Sequence, residues 1–126
     1  MQDLYQEELM DIFKNPHNRG KLAGATVSSS KKNPMCGDNL SLDLRIEDGV
    51  IKDAKFDGSA CSVSVISASI MTDFLIGKKL SEVRKITKDD LLKMINLNLT
   101  TSRVACATLI FTALEDAIKK YDEGKK

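Results

Sequence analysis

The sequence predicts an α+β fold, a small three-stranded antiparallel sheet with helices packed on one face. Two observations carry the sheet: Leu40, Leu42, Leu44 and Ile46 alternate with Ser41, Asp43, Arg45 and Glu47, and the pair Asp48-Gly49 then favours a tight hairpin into a returning strand. A third carries the helices: downstream of Cys61, apolar residues recur at helical spacing in three stretches.

Taken in order, "LYQEELMDIFKN" places Leu4, Tyr5, Leu9, Ile12 and Phe13 near one face of a short amphipathic helix, which "NPHNRG" ends with Asn-Pro and Gly. From Lys21 to Asn33 the chain is small and polar, and "ATVSSS" reads as an edge strand leading to the turn "NPMCGD". The strand over residues 40–46 follows, with one buried face and one wet face. In the returning strand Val50, Ala54 and Phe56 share one parity and Asp53, Lys55 and Asp57 the other, while Lys52 interrupts the alternation and leaves the register open. "GSACSVSVISASIMTDFLIGKKL" admits two readings, because Cys61, Val63 and Val65 alternate with serines whereas Ile66, Ile70 and Phe74 recur at helical spacing. Its length and the stop at Gly77 favour a helix from about Cys61. Thr87 and Asp90 form a capping box for a shorter helix through "DDLLKMINLN". In "TTSRVACATLIFTALEDAIKKY", Cys106, Leu109, Ala113, Leu114, Ala117 and Tyr121 mark one face of a long last helix, and the terminal "DEGKK" should fray.

A chain of 126 residues is long enough to bury one core without disulfides, so a single domain over 1–126 is expected. Nineteen basic and 18 acidic residues leave a formal charge of +1, which predicts no wholesale attraction to nucleic acid or to an anionic membrane. No apolar run approaches the roughly 20 residues of a membrane helix, and "MQDLYQEELMD" lacks the basic start and apolar centre of a secretory signal. A soluble, cytoplasmic protein is expected. The three cysteines, 25 and 45 residues apart, cannot all pair with one another and read as reduced thiols.

Those thiols are the unusual feature. Cys36 stands on a turn before a strand, Cys61 where the returning strand becomes a helix, and Cys106 near the expected start of the last helix. A helix N-terminus offers unpaired N–H groups and partial positive charge, which Cys61 and Cys106 could each use. Thiolates beside a carboxylate suit zinc, and iron-sulfur clusters are held mainly by cysteine. Asp38 is the candidate fourth ligand, since Gly37 can take backbone angles that turn Cys36 and Asp38 towards one point. The alternative is three separate packing cysteines, and no CxxC pair argues against it. The lone His17, in a Pro/Asn/Gly loop, reads as a surface residue and not as a ligand.

With "NPHNRG", "NPMCGD", "DGSACSVSVISASIM" and "RVACATL" in this order and spacing, nearly the whole chain resembles the IscU/SufU/NifU-N family of iron-sulfur cluster assembly scaffold proteins. The resemblance implies an IscU/SufE-like fold and a site of Cys36, Asp38, Cys61 and Cys106 that holds zinc in the cluster-free form or builds a [2Fe-2S] or [4Fe-4S] cluster. It also implies a cysteine desulfurase as sulfur source and apo-iron-sulfur proteins as recipients, and it leaves open a homodimer that depends on a shared cluster. Ala105 stands where such proteins commonly carry a histidine, and "NLTTSRVA" replaces a Leu-Pro-Pro-Val-Lys segment read by a dedicated chaperone. Arg103 resembles the SufU arrangement and is a candidate supporting residue for Cys106, three positions on, although the long SufU insertion is absent.

Cys36, on a turn, is better placed than a helical cysteine to leave a metal and reach a partner's persulfide. It is the expected sulfur acceptor, with Cys106 as the alternative because some relatives use that position. Four functions compete: a cluster scaffold without turnover of its own, a zinc-dependent sulfur carrier that activates a desulfurase, a structural zinc domain, and a cysteine hydrolase. The last lacks a plausible histidine partner.

Overall fold

The hairpin at Asp48-Gly49 organises the sheet. Both residues have positive φ (53° and 73°), which gives the turn the twist that two antiparallel strands require. The computed structural model describes residues 9–33, 37–95 and 101–124, the side chains of 101–103 excepted. Helix α1 is seen over 9–14, so the expected contributions of Leu4 and Tyr5 lie outside the described residues. Strands β1 (Val27–Asn33), β2 (Asp38–Glu47) and β3 (Val50–Asp57) form one antiparallel sheet in the order β1-β2-β3. Helices α2 (Ser62–Leu75), α3 (Leu80–Val83), α4 (Lys88–Ile95), α5 (Thr101–Ala107) and α6 (Leu109–Gly124) follow.

β2 is the central strand and behaves as its alternation demands. Leu40, Leu42, Leu44 and Ile46 are buried in the core, each contributing about 1.5–3 kcal/mol. β3 differs from the expected parity. Ile46 pairs with Ile51 but Arg45 pairs with Asp53, so the exposed Lys52 is an extra residue in a β-bulge. The bulge puts Ile51, Ala54 and Phe56 on the buried face and leaves Val50 half-buried at the hairpin. β1 is longer than "ATVSSS" suggests and buries only Ser29, whose hydroxyl donates to the Ala113 carbonyl of α6 at 2.6 Å.

α6 lies over β1 and β2, and α2 lies against β3, α4, α5 and α6. Of the serines whose alternation suggested a strand, Ser64 is buried, and so are Ser67, Ser69 and Thr72 further along α2, because their small side chains let neighbouring elements approach this helix. Gly77, at φ 88°, ends it as expected. The capping box of α4 forms in both directions: Thr87 N–H donates to Asp90 Oδ2 at 2.9 Å, and Asp90 N–H to Thr87 Oγ1 at 3.2 Å. Two features were not anticipated. The short α3 precedes α4, and the last helix is divided at Thr108, whose hydroxyl donates back to the Val104 carbonyl at 2.9 Å. No helix among the described residues is long and apolar enough to cross a membrane.

On α1, Leu9 is buried but Phe13 faces outward, contrary to the single apolar face expected for that helix. The following loop clasps α2. His17 N–H donates to Ser69 Oγ at 2.8 Å, His17 Nδ1 lies 2.8 Å from Asp73 Oδ2, and Asn18 Nδ2 donates to Asp73 Oδ1 at 2.8 Å and to Thr72 Oγ1 at 3.0 Å. His17 is thus an exposed residue bound to a carboxylate on α2, in agreement with its reading as a surface residue.

Candidate metal centre

Three elements meet at the end of the sheet where β1 turns into β2. The turn is closed by Gly37 N–H donating to the Asn33 carbonyl at 2.9 Å, and Gly37 has φ 73°, a conformation that glycine adopts freely. Asp38, the first residue of β2, therefore points into the molecule and is buried. From the other side, β3 leads through Asp57 and Gly58 to Cys61. Gly58 packs against the Asn39 backbone so tightly that a Cβ there would lie 2.3 Å from the Asn39 carbonyl oxygen. Its φ of 134° and the missing side chain let the Cys61 turn fold down onto β2, where Asn39 N–H donates to the Ser59 carbonyl at 2.8 Å.

Cys61 is the N-cap of α2 in extended conformation, and its own side chain makes no capping bond. The first turn of α2 also lacks an acidic residue. A helix start needs both a hydrogen-bond acceptor and, for its dipole, a negative group. Asp38 provides these from the neighbouring strand: its Oδ1 accepts the Cys61 N–H at 3.1 Å and its Oδ2 accepts the Ser64 hydroxyl at 2.7 Å. The carboxylate is thereby aimed at the helix start that carries the second thiol.

Cys106 arrives from the opposite side and is buried, with Asn33 Nδ2 at 4.0 Å from its sulfur. It does not open the last helix as expected. It is the sixth residue of α5, next to the break at Thr108, so it stands where helix carbonyls and not free N–H groups lie. The helix-start environment expected of two cysteines belongs to Cys61 alone.

A carboxylate oxygen of Asp38 and the sulfurs of Cys61 and Cys106 lie within 4.8 Å of one another. Two sulfurs bound to one tetrahedral zinc at about 2.3 Å each stand roughly 3.8 Å apart, so the three donor atoms need to close by no more than about 1 Å. Two thiols with one carboxylate also suit zinc or iron chemically, and leave room for a fourth ligand. The donor set fits such a metal. Cys36, expected as a ligand beside these three and as sulfur acceptor, lies outside the described residues, as does the side chain of Arg103. The buried Ser64 was not singled out in the sequence. The available signal was its position, three residues after a helix-starting cysteine, where a capping partner is normally found.

Residues 4–126 match the model of the NifU-like N terminal domain. The chain is 36% identical over 133 aligned residues to the iron-sulfur cluster assembly scaffold protein IscU of Thermotoga maritima, covering 93% of this chain and 94% of that protein. It is 32% identical to the zinc-dependent sulfurtransferase SufU of Bacillus subtilis, covering 96% of this chain and 93% of the relative. The fold is similar to the crystal structure of a candidate iron-sulfur cluster assembly scaffold protein for the SUF system from Fervidobacterium islandicum, with a TM-score of 0.76, 26% identity and coverage of 88% of this chain and 93% of the other.

Proposed function

This chain belongs to the NifU-like N terminal domain family, and on that premise we propose that it is a scaffold for iron-sulfur cluster assembly, working as a single domain in the cytoplasm. The observation that carries the proposal is the convergence of Asp38, Cys61 and Cys106 donor atoms within 4.8 Å at the junction of three elements. Three residues so far apart in sequence, two of them buried, are brought together with a soft donor set that packing alone does not call for. In this reading Cys36, Asp38, Cys61 and Cys106 hold the cluster, which is cargo and is passed to apo-iron-sulfur proteins. The cluster-free form holds zinc.

Sulfur comes from a cysteine desulfurase. A thiolate of the scaffold attacks the outer sulfur of the desulfurase persulfide, a new sulfur-sulfur bond forms, and the desulfurase cysteine leaves as thiolate. Cys36 is the proposed acceptor. Cys106 is the alternative, and at 3% exposure it must come out of the core before it can be reached. Completing a cluster then needs iron and an external two-electron reductant for each persulfide sulfur. The chain's own part is to hold the thiolates together and to keep the carboxylate of Asp38 oriented by hydrogen bonds from the Cys61 N–H and the Ser64 hydroxyl.

A second reading, a zinc-dependent sulfur carrier, is supported by the similarity to the Bacillus subtilis sulfurtransferase and by the fit of the donor set to zinc. Anaerobic incubation with ferrous iron, cysteine, a reducing thiol and a cysteine desulfurase separates the two. A scaffold gains a visible charge-transfer spectrum and then activates an apo-ferredoxin. A colourless protein that keeps zinc and only accelerates the desulfurase overturns the scaffold reading.

A further inference from the structure

A buried hydroxyl on a helix can satisfy itself locally. Thr72 and Thr108 both do so, donating to carbonyls four residues back. Ser64 does not. Its side chain is fully buried, and its oxygen lies 2.7 Å from Asp38 Oδ2, 2.9 Å from the Cys106 carbonyl oxygen and 3.7 Å from Cys61 Sγ. One atom thus touches all three residues whose donor atoms converge at the metal centre. A hydroxyl has one proton to donate and lone pairs to accept with. It can accept from the Cys61 thiol, but it can satisfy only one of its two acceptors fully at a time.

We propose that Ser64 is a positioning residue of the metal centre, holding the Asp38 carboxylate in the arrangement that binds a cation. This rests on the metal-centre reading given above. While the hydroxyl donates to Oδ2, and the Cys61 N–H to Oδ1, the carboxylate is fixed in rotation with a lone pair of each oxygen already engaged. When the hydroxyl turns to the Cys106 carbonyl, it gives up its bond to Oδ2 without movement of the backbone. Partners that orient ligating groups in this way commonly change metal affinity by about 10–100-fold when removed.

The test is the zinc dissociation constant of the metal-free protein, measured against a chromophoric chelator, together with the visible spectrum of the cobalt(II) form. Ser64→Ala should weaken zinc binding by about tenfold and alter the cobalt bands. Alanine is smaller and favours the helix, so the variant keeps its fold. In an Asp38→Ala background the same change should alter affinity by less than about threefold, because the hydroxyl has then lost the carboxylate through which it acts. Equal tenfold losses in both backgrounds overturn the proposal, as does a Ser64→Ala protein with the parent's affinity and cobalt spectrum. If the parent itself binds neither zinc nor cobalt, the metal-centre reading fails first and independently of Ser64.

Discussion

Replacing Asp38 by alanine tests whether its carboxylate is a structural cap, a holding ligand or a release point. The structural cost follows from its partners. The substitution removes the acceptor of the Cys61 N–H and of the Ser64 hydroxyl, and the negative group at the start of α2. Ser64 retains the Cys106 carbonyl at 2.9 Å, so of these two donors it is the Cys61 N–H that loses its acceptor outright. A hydrogen bond to a charged group contributes about 1.5–3 kcal/mol and the helix-dipole interaction about 0.3–1 kcal/mol, partly offset by no longer burying a carboxylate. The net loss is about 2 kcal/mol. With an unfolding entropy near 2.1 cal/mol/K per residue, this lowers the Tm of a domain of this size by roughly 8 °C and leaves it folded.

For the loaded protein the expected effect is opposite in direction. A carboxylate oxygen is a harder and weaker partner for sulfur-bridged iron than a thiolate, so in the proposed site Asp38 would be the exchangeable side. Asp38→Ala should therefore keep its visible absorbance longer in air and hand its cluster to apo-ferredoxin more slowly than the parent. Thermal melting of the metal-free protein and absorbance decay of the reconstituted protein measure the two effects separately. If Asp38→Ala loses its absorbance as fast as a cysteine variant does, the carboxylate is a holding ligand and the release argument is wrong. A Tm unchanged within 2 °C refutes its role at the helix start.

Cys61→Ser and Cys106→Ser should each abolish stable cluster binding on anaerobic reconstitution while the far-ultraviolet circular dichroism stays that of the parent, and retention of the charge-transfer bands by either would remove that residue from the site. Gly58→Ala places a Cβ 2.3 Å from the Asn39 carbonyl oxygen at a φ of 134°, and should cost about 3 kcal/mol, read as a lowered urea midpoint. A midpoint equal to the parent's would mean that the Cys61 turn does not depend on this close approach. Deleting Lys52 should be tolerated, with a cost below about 2 kcal/mol, because removal of the bulged residue leaves Ile51 opposite Ile46 and Asp53 opposite Arg45. Loss of cooperative unfolding in that variant would show that the bulge itself is required.

What could be read from the sequence was whatever rests on local pattern and local chemistry. The β2 alternation, the Asp48-Gly49 hairpin, the Thr87-Asp90 capping box and the Gly77 stop are each specified by residues within a few positions of one another, and all four form as expected. Asp38 and the cysteines could be nominated as ligands from donor chemistry and from the resemblance of their motifs. What the sequence left open depends on partners distant along the chain. The parity of β3 turns on a bulge set by pairing with β2, and β1, with no apolar alternation of its own, is held by its β2 partner and by the bond from Ser29 to α6. Phe13 matched a helical period, yet it stays exposed, with none of the described residues packed over it closely enough to bury it. Cys106 looked like a helix start because the break at Thr108 has no strong local signal. Ser64 was one serine among several on α2, and only the arrival of Asp38 from 26 positions away and Cys106 from 42 gives its hydroxyl a role. Short-range periodicity and capping are written in neighbouring residues, whereas the site is assembled by long-range packing that brings three separate element ends to one point.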